Sequence, residues 1–282
     1  MIKIGIRAHD MGKYSLTDFP TLLNTIKTLD GDCIQLALGK SFIDFNISIE
    51  NLNSELAHYL KNNLKNNDIN LSVLGCYINM GNPDNNIRHQ EIEKFKYHLD
   101  FSKNFPGCIV GTETGCLTTD YTYTPLNDTQ EAFDMFLDTL NEIVKHAEKT
   151  QTLVAIEGVS KDIISTPEKM NLALETIVST HLKVIFDPVN FLNITNFHNQ
   201  KEIIEKSFEL FADKIAIIHL KDFKVENNIF KIVPIGQGNF DIDTLMKCIK
   251  KYNLKIDILL ENSNIESGKK CIHFVKNSYK NS

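Results

Sequence analysis

Short apolar runs rich in β-branched residues alternate with longer amphipathic segments along the chain. Eight such runs occur, and each precedes a segment whose apolar residues recur every three or four positions, as on one face of a helix. The segment from about 128 to 150 shows this spacing most clearly, with Phe133, Phe136, Leu140 and Ile143 on one face. We predict strands at 3–8, 33–38, 70–76, 108–115, 153–158, 182–188, 215–222 and 256–262, and helices near 16–29, 50–66, 87–103, 128–150, 166–179, 200–212, 241–252 and 266–278.

Eight strand–helix units predict an α/β protein built as a single closed (β/α)8 barrel, or TIM barrel. An open, doubly wound sheet also alternates strands and helices, but it usually has fewer strands and a Gly-rich turn after the first one. The segment IRAHDMGKYS at 6–15 lacks such a turn. No linker, low-complexity tract or shift in composition divides the chain, so we expect one domain over residues 1–282.

The loops after the predicted strands are longer than the turns that lead into them. In a barrel such loops form the rim of the active site, and the aromatic-bearing segments 118–125 and 193–199 are candidate lids. Gly236 and Gly238 follow the seventh run. They would either offer backbone amides to a phosphate or form a tight turn before a helix capped by Asp241.

The composition is that of a globular protein with a sizeable core, since 42% of the residues are hydrophobic and 23% are charged. The net charge of −6 argues against a nucleic-acid or membrane partner and favours a small ligand. The six cysteines form no Cys-x-x-Cys pair, which predicts reduced thiols. Met1 is followed directly by a strand-like run, without a leader or an apolar run of membrane-spanning length, so we expect a cytoplasmic protein. The oligomeric state stays open, a homo-oligomer included.

Four successive runs in the second half of the chain each end in a side chain that can bind a metal. LVAIEG reaches Glu157, LKVIFDPVN reaches Asp187, IAIIHLKD reaches His219 and IDILLEN reaches Glu261. The carboxyl ends of parallel strands meet at the same end of a barrel, so we expect these four side chains to converge. In the alternative interpretation, each acid forms a separate salt bridge or helix cap.

The two-residue repeat of a strand tests which of these side chains face the barrel axis. The residues two and four positions before Glu157 and His219 are all apolar, so both side chains are expected to point inward. On the sixth and eighth strands, Lys183 and Asp257 stand four positions before the acidic residue. If these strands have the same orientation, we expect Lys183 and Asp257 to pair near the lower end of the barrel.

Three carboxylates that converge with one imidazole on the barrel axis would repel one another and be poorly solvated, and burying unpaired like charge is costly. One divalent cation removes this cost. Oxygen donors with a single nitrogen and no thiolate favour Mn²⁺ in the first place, with Mg²⁺, Co²⁺ or Zn²⁺ as alternatives.

The ordered segments KIGI, GTETG, AIEG, FDPVN, HLKD, IGQGNFD and LLEN make the chain resemble the xylose isomerase-like TIM barrel superfamily. This superfamily includes the sugar phosphate isomerases and epimerases and the AP endonuclease family 2 barrels. The resemblance covers nearly the whole chain. It implies that Glu157, Asp187, His219 and Glu261 bind one catalytic metal.

The resemblance also implies a metal-dependent isomerase or epimerase acting on a sugar, a sugar phosphate or a keto acid. In such enzymes the substrate chelates the metal through its carbonyl and an adjacent hydroxyl, and an enediolate forms. Glu157 and Glu261 would then be the catalytic residues that remove and return the proton, while Asp187 and His219 would mainly hold the metal.

Further residues are candidates for contact with a small carbohydrate substrate. Lys221 lies two residues beyond His219 and either binds a substrate oxygen or pairs with Asp222. His9, after the first strand, and Gln35, in the second, could reach the barrel mouth.

Two more candidates follow from the resemblance. Glu113 in GTETG matches a recurrent position at the end of the fourth strand, where it would orient substrate. The ketose 3-epimerases carry a histidine three residues after the aspartate ligand, where this chain has Asn190, and an arginine after the metal histidine. No arginine follows Arg88 here, which argues against a standard ketohexose epimerase and leaves the substrate open.

Three other functions compete with isomerisation. A dehydratase of a sugar or inositol derivative would begin with the same proton abstraction. An endonuclease IV-like phosphodiesterase would need three zinc ions and several histidines that these motifs lack. A barrel that only binds a ligand would retain the metal and show no turnover.

Overall fold

A computed structural model describes residues 2–282 and shows a closed barrel of eight parallel strands. Around the barrel the strands follow the order β1-β10-β7-β6-β5-β4-β3-β2, so the predicted (β/α)8 architecture is confirmed. The strands are β1 Lys3–Arg7, β2 Cys33–Leu36, β3 Asn70–Gly75, β4 Ile109–Glu113, β5 Leu153–Glu157, β6 Leu182–Phe186, β7 Ile215–Leu220, β8 Asp222–Glu226, β9 Ile229–Val233 and β10 Asp257–Leu260. The helices are α1 Phe19–Thr28, α2 Leu38–Ser41, α3 Ser54–Asn66, α4 Asn85–Ser102, α5 Gln130–Thr150, α6 Pro167–Thr176, α7 Gln200–Phe211, α8 Ile242–Lys251 and α9 Ile265–Asn281.

Seven buried side chains, one from every barrel strand except β1, pack together as the core inside the barrel. At the matching position β1 has Gly5, where a Cβ atom would lie 1.9 Å from the carbonyl oxygen of Cys33. Successive residues on a strand alternate between the two faces of the sheet, so the next inward position on each strand lies nearer its carboxyl end. The seven core residues are Cys33, Val73, Ile109, Ala155, Ile185, Ile217 and Leu259.

Two described features bear on the expectations from composition. All six cysteines are buried free thiols, in agreement with the predicted reduced state. Among residues 2–282, no helix has both the length and the apolar character needed to cross a membrane.

The segment after β7 is not a plain loop, because it contains the antiparallel hairpin of β8 and β9. The buried carboxylate of Asp222 closes this segment. Its Oδ1 accepts hydrogen bonds from the amides of Phe223 and Phe240, both at 2.8 Å, and its Oδ2 accepts from Gly236 at 3.0 Å and Gly238 at 2.8 Å. These glycine amides therefore form a tight turn and are already bonded, which excludes the phosphate alternative.

Replacing Asp222 by Ala is expected to lower the free energy of unfolding by about 3 kcal/mol, because four amides lose a charged acceptor and two of them belong to buried residues. Urea denaturation would measure the loss. The matched control is Asp243→Ala on the exposed face of α8, for which we expect a change within about 0.5 kcal/mol. Equal stability of the two variants would show that Asp222 does not hold this turn.

The predicted pairing of Lys183 with Asp257 is wrong. Asp257 Oδ2 instead accepts a hydrogen bond of 2.6 Å from the hydroxyl of Ser72, and no ion pair joins it to Lys183 within the described part of the chain. The register of β2 against β3 passes from Ile34–Leu71 to Gln35–Val73, so Ser72 has no partner in the ladder. Such an irregularity changes the direction in which side chains point. At this one, the hydroxyl of Ser72 reaches Asp257.

Candidate active site

Two residues beyond the core residues inside the barrel, toward the carboxyl ends of the strands, polar side chains take the place of apolar ones on most strands. On β5, β6, β7 and β10 this step leads to Glu157, Asp187, His219 and Glu261, all of which are buried. On the remaining strands the same step leads to Arg7, Gln35, Gly75 and Gly111. Gly75 leaves room for the Gln35 amide and the Tyr77 ring, whereas Gly111 leaves room for the apolar side chains of Ile185 and Val73.

Glu157, His219 and Glu261 form a compact group in which one ligand atom of each lies within 4.8 Å of the others. His219 Nδ1 is 3.1 Å from Glu157 Oε2 and 3.1 Å from Glu261 Oε1, yet it has no hydrogen-bond partner. The other ring nitrogen, Nε2, is 2.7 Å from the side-chain oxygen of Gln35. The buried Nδ1 therefore faces two carboxylates, an arrangement that calls for a proton or a metal ion between them.

Asp187 lies beside this group rather than within it. Its Oδ1 accepts hydrogen bonds from the amides of Val189 at 2.9 Å and Asn190 at 3.3 Å. Its Oδ2 is 2.9 Å from the ammonium of Lys221, but the contact lacks hydrogen-bond geometry. One oxygen thus fixes the turn after β6, and the other lies beside the ammonium of Lys221.

Lys221 is a buried cation of the site and not a solvated partner of Asp222. Its Nζ donates to Asn190 Oδ1 at 2.6 Å and to Glu261 Oε2 at 2.9 Å. Pairing with Asp222 is prevented because that carboxylate is bonded to backbone amides. Lys221 therefore links Asp187, Asn190 and Glu261.

The remaining candidates lie around the mouth. Asn190 donates to Glu157 Oε1 at 2.8 Å. Glu113 Oε2 is 3.4 Å from the hydroxyl of Tyr121, a residue of the candidate lid 118–125. His9 stacks edge-on against Tyr77, and burial together with the nearby Arg7 lowers its pKa to about 4, which keeps the ring neutral.

Arg7 is a site residue that sequence reasoning missed. Its Nη1 donates to Glu261 Oε1 at 2.6 Å, while Nε and Nη2 bind the carboxylate of Asp10 at 2.9 and 3.1 Å. The signal was present, because Arg7 stands two residues beyond Gly5 at the end of β1. A guanidinium therefore reaches the site from the first strand, although none follows Arg88 in the sequence.

Without a bound cation, the pKa values of the ionisable groups in the site are shifted in different directions. Burial would raise the pKa of Glu261, but Lys221, Arg7 and His219 outweigh it and keep this pKa well below the usual range. Burial raises the pKa of Asp187 to about 6 despite its contact with Lys221. Burial would lower the pKa of His219, but Glu157 and Glu261 raise it to about 10.

Among residues 2–282, two groups of side chains could hold a metal ion, and the buried one contains a ring nitrogen without a hydrogen-bond partner. His219 Nδ1 in the central group and Asp187 Oδ2 beside it are both buried without a hydrogen-bond partner. Nδ1 faces the oxygens of Glu157 and Glu261, and Oδ2 faces the ammonium of Lys221. This donor set suits a divalent cation. The second group, His89, Glu93 and Glu142, lies at the surface of α4 and α5. There Lys96 already binds Glu93 at 2.7 Å and Glu142 at 2.6 Å.

The fold and the polar ring at the barrel mouth define a (β/α)8 barrel with a candidate metal centre. The model of the xylose isomerase-like TIM barrel family matches residues 23–270, so the chain belongs to this family. No curated protein sequence matches it.

Solved structures similar to the chain share its barrel over almost the full length. A D-tagatose 3-epimerase-like protein has a TM-score of 0.78 at 20% identity, covering 99% of this chain and 97% of that one. A xylose isomerase-like TIM barrel protein from Mycobacterium smegmatis in complex with magnesium has a TM-score of 0.77 at 11% identity, covering 100% and 97%. D-psicose 3-epimerase with D-tagatose from Clostridium cellulolyticum H10 has a TM-score of 0.72 at 14% identity, covering 99% of each chain. At these identities the likeness establishes the fold, and the activity has to be argued from the site.

Proposed function

We propose that the protein is a divalent-metal-dependent sugar isomerase or epimerase that transfers a proton at a carbon next to a carbonyl. The observation that carries this proposal is the unpartnered His219 Nδ1, held 3.1 Å from one oxygen of each of two buried glutamates. The names of similar structures, which include D-tagatose and D-psicose 3-epimerases, support a small carbohydrate substrate.

The proposed metal ligands are Glu157, Asp187, His219 and Glu261. Manganese is the first candidate, and the magnesium complex among the similar structures supports a hard divalent ion. When bound, such an ion would polarise the substrate carbonyl and stabilise the negative charge that develops after proton removal.

The two glutamates are placed differently, as a pair of proton carriers requires. Glu261 contacts two cations, Arg7 at 2.6 Å and Lys221 at 2.9 Å, which stabilise its ionised form. Glu157 receives its hydrogen bond from the neutral amide of Asn190. We therefore assign Glu157, which contacts neither Arg7 nor Lys221, as the residue that removes the proton, and Glu261 as the partner that returns it on the other face or at the neighbouring carbon.

The polar groups around the glutamates would orient the substrate. Lys221 and Asn190 bond each other between Asp187 and Glu157, so either could also bind a substrate oxygen. His9 and Glu113 lie on other sides of the mouth. One domain over residues 1–282, a cytoplasmic location and the absence of nucleic-acid or membrane partners stay predictions.

Incubation with Mn²⁺ in D₂O is expected to place deuterium on the carbon next to the carbonyl of one sugar in a panel of ketoses, aldoses, sugar phosphates and keto acids. Proton NMR would detect the exchange, and mass spectrometry would separate isomerisation from loss of water. Elemental analysis should find one divalent ion per chain. Three zinc ions would favour the phosphodiesterase, and bound metal without exchange across the panel would favour a ligand-binding barrel.

A further inference from the structure

Gln35 occupies an inward position of β2, where a polar side chain needs a partner at each end. The residue is 1% exposed. Its side-chain oxygen is 2.7 Å from His219 Nε2, and its amide nitrogen donates to the hydroxyl oxygen of Tyr77 at 2.9 Å. Both ends of the amide are thus used, one toward the candidate metal centre and the other toward the barrel rim.

The local fold provides the space and the direction for this contact. The pairing of β2 with β3 changes register between Ile34 and Gln35. An irregularity of this kind changes the direction in which a nearby side chain points. On β3, Gly75 lacks the Cβ atom that would lie 3.3 Å from the Gln35 amide nitrogen and 3.4 Å from the Tyr77 ring. Lys40 covers that ring, with its Nζ 3.6 Å from the ring centre.

The direction of the Gln35 amide determines the role of each His219 nitrogen. An amide oxygen only accepts, so Nε2 must carry the hydrogen in this contact. Nδ1 is then the nitrogen that faces Glu157 and Glu261. Metal-binding histidines are commonly oriented in this way by a hydrogen-bond acceptor on the nitrogen that does not bind the metal.

We propose that Gln35 is a positioning residue that fixes Nδ1 of His219 toward the metal, and that Tyr77 holds Gln35 in the required orientation. This inference rests on the proposed metal site. It assigns Gln35 and Tyr77 an effect on metal affinity through His219, without contact with the metal or the reacting atoms.

Three variants test the proposal. Gln35→Leu removes the acceptor, and its affinity for Mn²⁺ is expected to fall about 10- to 100-fold. Gln35→Glu retains an acceptor for Nε2–H and is expected to bind Mn²⁺ at least as tightly as the wild type. Tyr77→Phe removes only the partner of Gln35, so we expect a smaller loss of about threefold to tenfold. Electron paramagnetic resonance of free Mn²⁺ would measure all three affinities.

Nitrogen-15 NMR of the histidine rings provides a readout that packing alone would not change. In the zinc-loaded wild type, His219 should carry its hydrogen at Nε2 and show Nδ1 as the metal-bound nitrogen. Gln35→Leu should lose the hydrogen-bonded Nε2–H signal, and Gln35→Glu should retain it. Equal affinities of the wild type and Gln35→Leu, or equal losses in Gln35→Leu and Gln35→Glu, would overturn the proposal.

The two proposals can fail separately. If the wild type binds neither Mn²⁺ nor Zn²⁺, the proposed metal function fails, while the NMR spectrum of the metal-free protein still reports whether Nε2–H is bonded to Gln35. A wild-type spectrum without that signal would refute the role of Gln35. Because Tyr77→Phe changes one hydroxyl on a partly buried ring, it keeps the test available if Gln35→Leu does not fold.

Discussion

Replacing Glu261 by Gln is expected to lower formation of the isomerised or epimerised sugar about 10³-fold, because the amide cannot return the proton. The change preserves the size of the side chain and leaves the barrel folded. It also removes a negative charge next to Arg7 and Lys221, so turnover must be measured at saturating Mn²⁺ with the bound metal quantified.

Glu157→Gln is the informative partner of this variant. If Glu157 removes the proton first, Glu157→Gln should lose both product formation and deuterium exchange from the starting sugar. Glu261→Gln should lose product but retain exchange from the face served by Glu157. The opposite pattern would exchange the two roles.

The matched control is Glu209→Gln on α7, an exposed glutamate paired with Lys206 at 3.3 Å, for which we expect unchanged turnover. Wild-type turnover in metal-loaded Glu261→Gln would exclude Glu261 as a proton carrier. Circular dichroism of each variant would show whether a loss of activity reflects the site or the fold.

Regularity along the strands explains why much of the fold was predictable from sequence. The alternation of apolar runs and amphipathic segments repeats eight times, and each repeat independently indicates a strand and a helix. The hairpin of β8 and β9 was missed because burial does not follow the alternation of a strand there: Ile229 and Ile232 lie on opposite faces of β9 and both are exposed. Its position depends on Asp222, whose hydrogen bonds reach up to 18 residues along the chain.

The sequence predicted which side chains point into the site, but it did not predict which of them pair with one another. The two-residue repeat of a strand indicates which side chains face the axis. Arg7, two residues beyond Gly5, fits this repeat on β1, as Gln35, a candidate from the sequence, fits it on β2. The repeat cannot tell which charged groups meet across the barrel. Lys221 pairs with Glu261 from β10 and Asp187 after β6, while its sequence neighbour Asp222 is occupied by backbone amides. Which of these partners pair depends on their positions in the folded barrel, and the order of residues along the chain does not give those positions.

The affinity for Mn²⁺ is expected to rise about 100-fold between pH 6.5 and 8.5, because the metal must displace a proton from His219. Glu157 and Glu261 raise the pKa of the metal-free His219 to about 10, so below that pH a proton lies on the nitrogen that faces the ligands. Each pH unit then favours metal over proton about tenfold. Below about pH 6 the dependence should steepen, because the raised pKa of Asp187 adds a second proton.

Calorimetry in buffers of different ionisation enthalpy would count the protons released, with one per Mn²⁺ expected near pH 7.5. The same raised pKa predicts that His219 stabilises the metal-free fold fully below its ordinary pKa of 6.5, and that this contribution is lost as the pH rises through about 10. His219→Asn is the control, because its amide does not titrate, and it should bind Mn²⁺ weakly with a flatter profile. A flat profile in the wild type would mean that His219 holds no proton there, and the electrostatic account of the site would have to be abandoned.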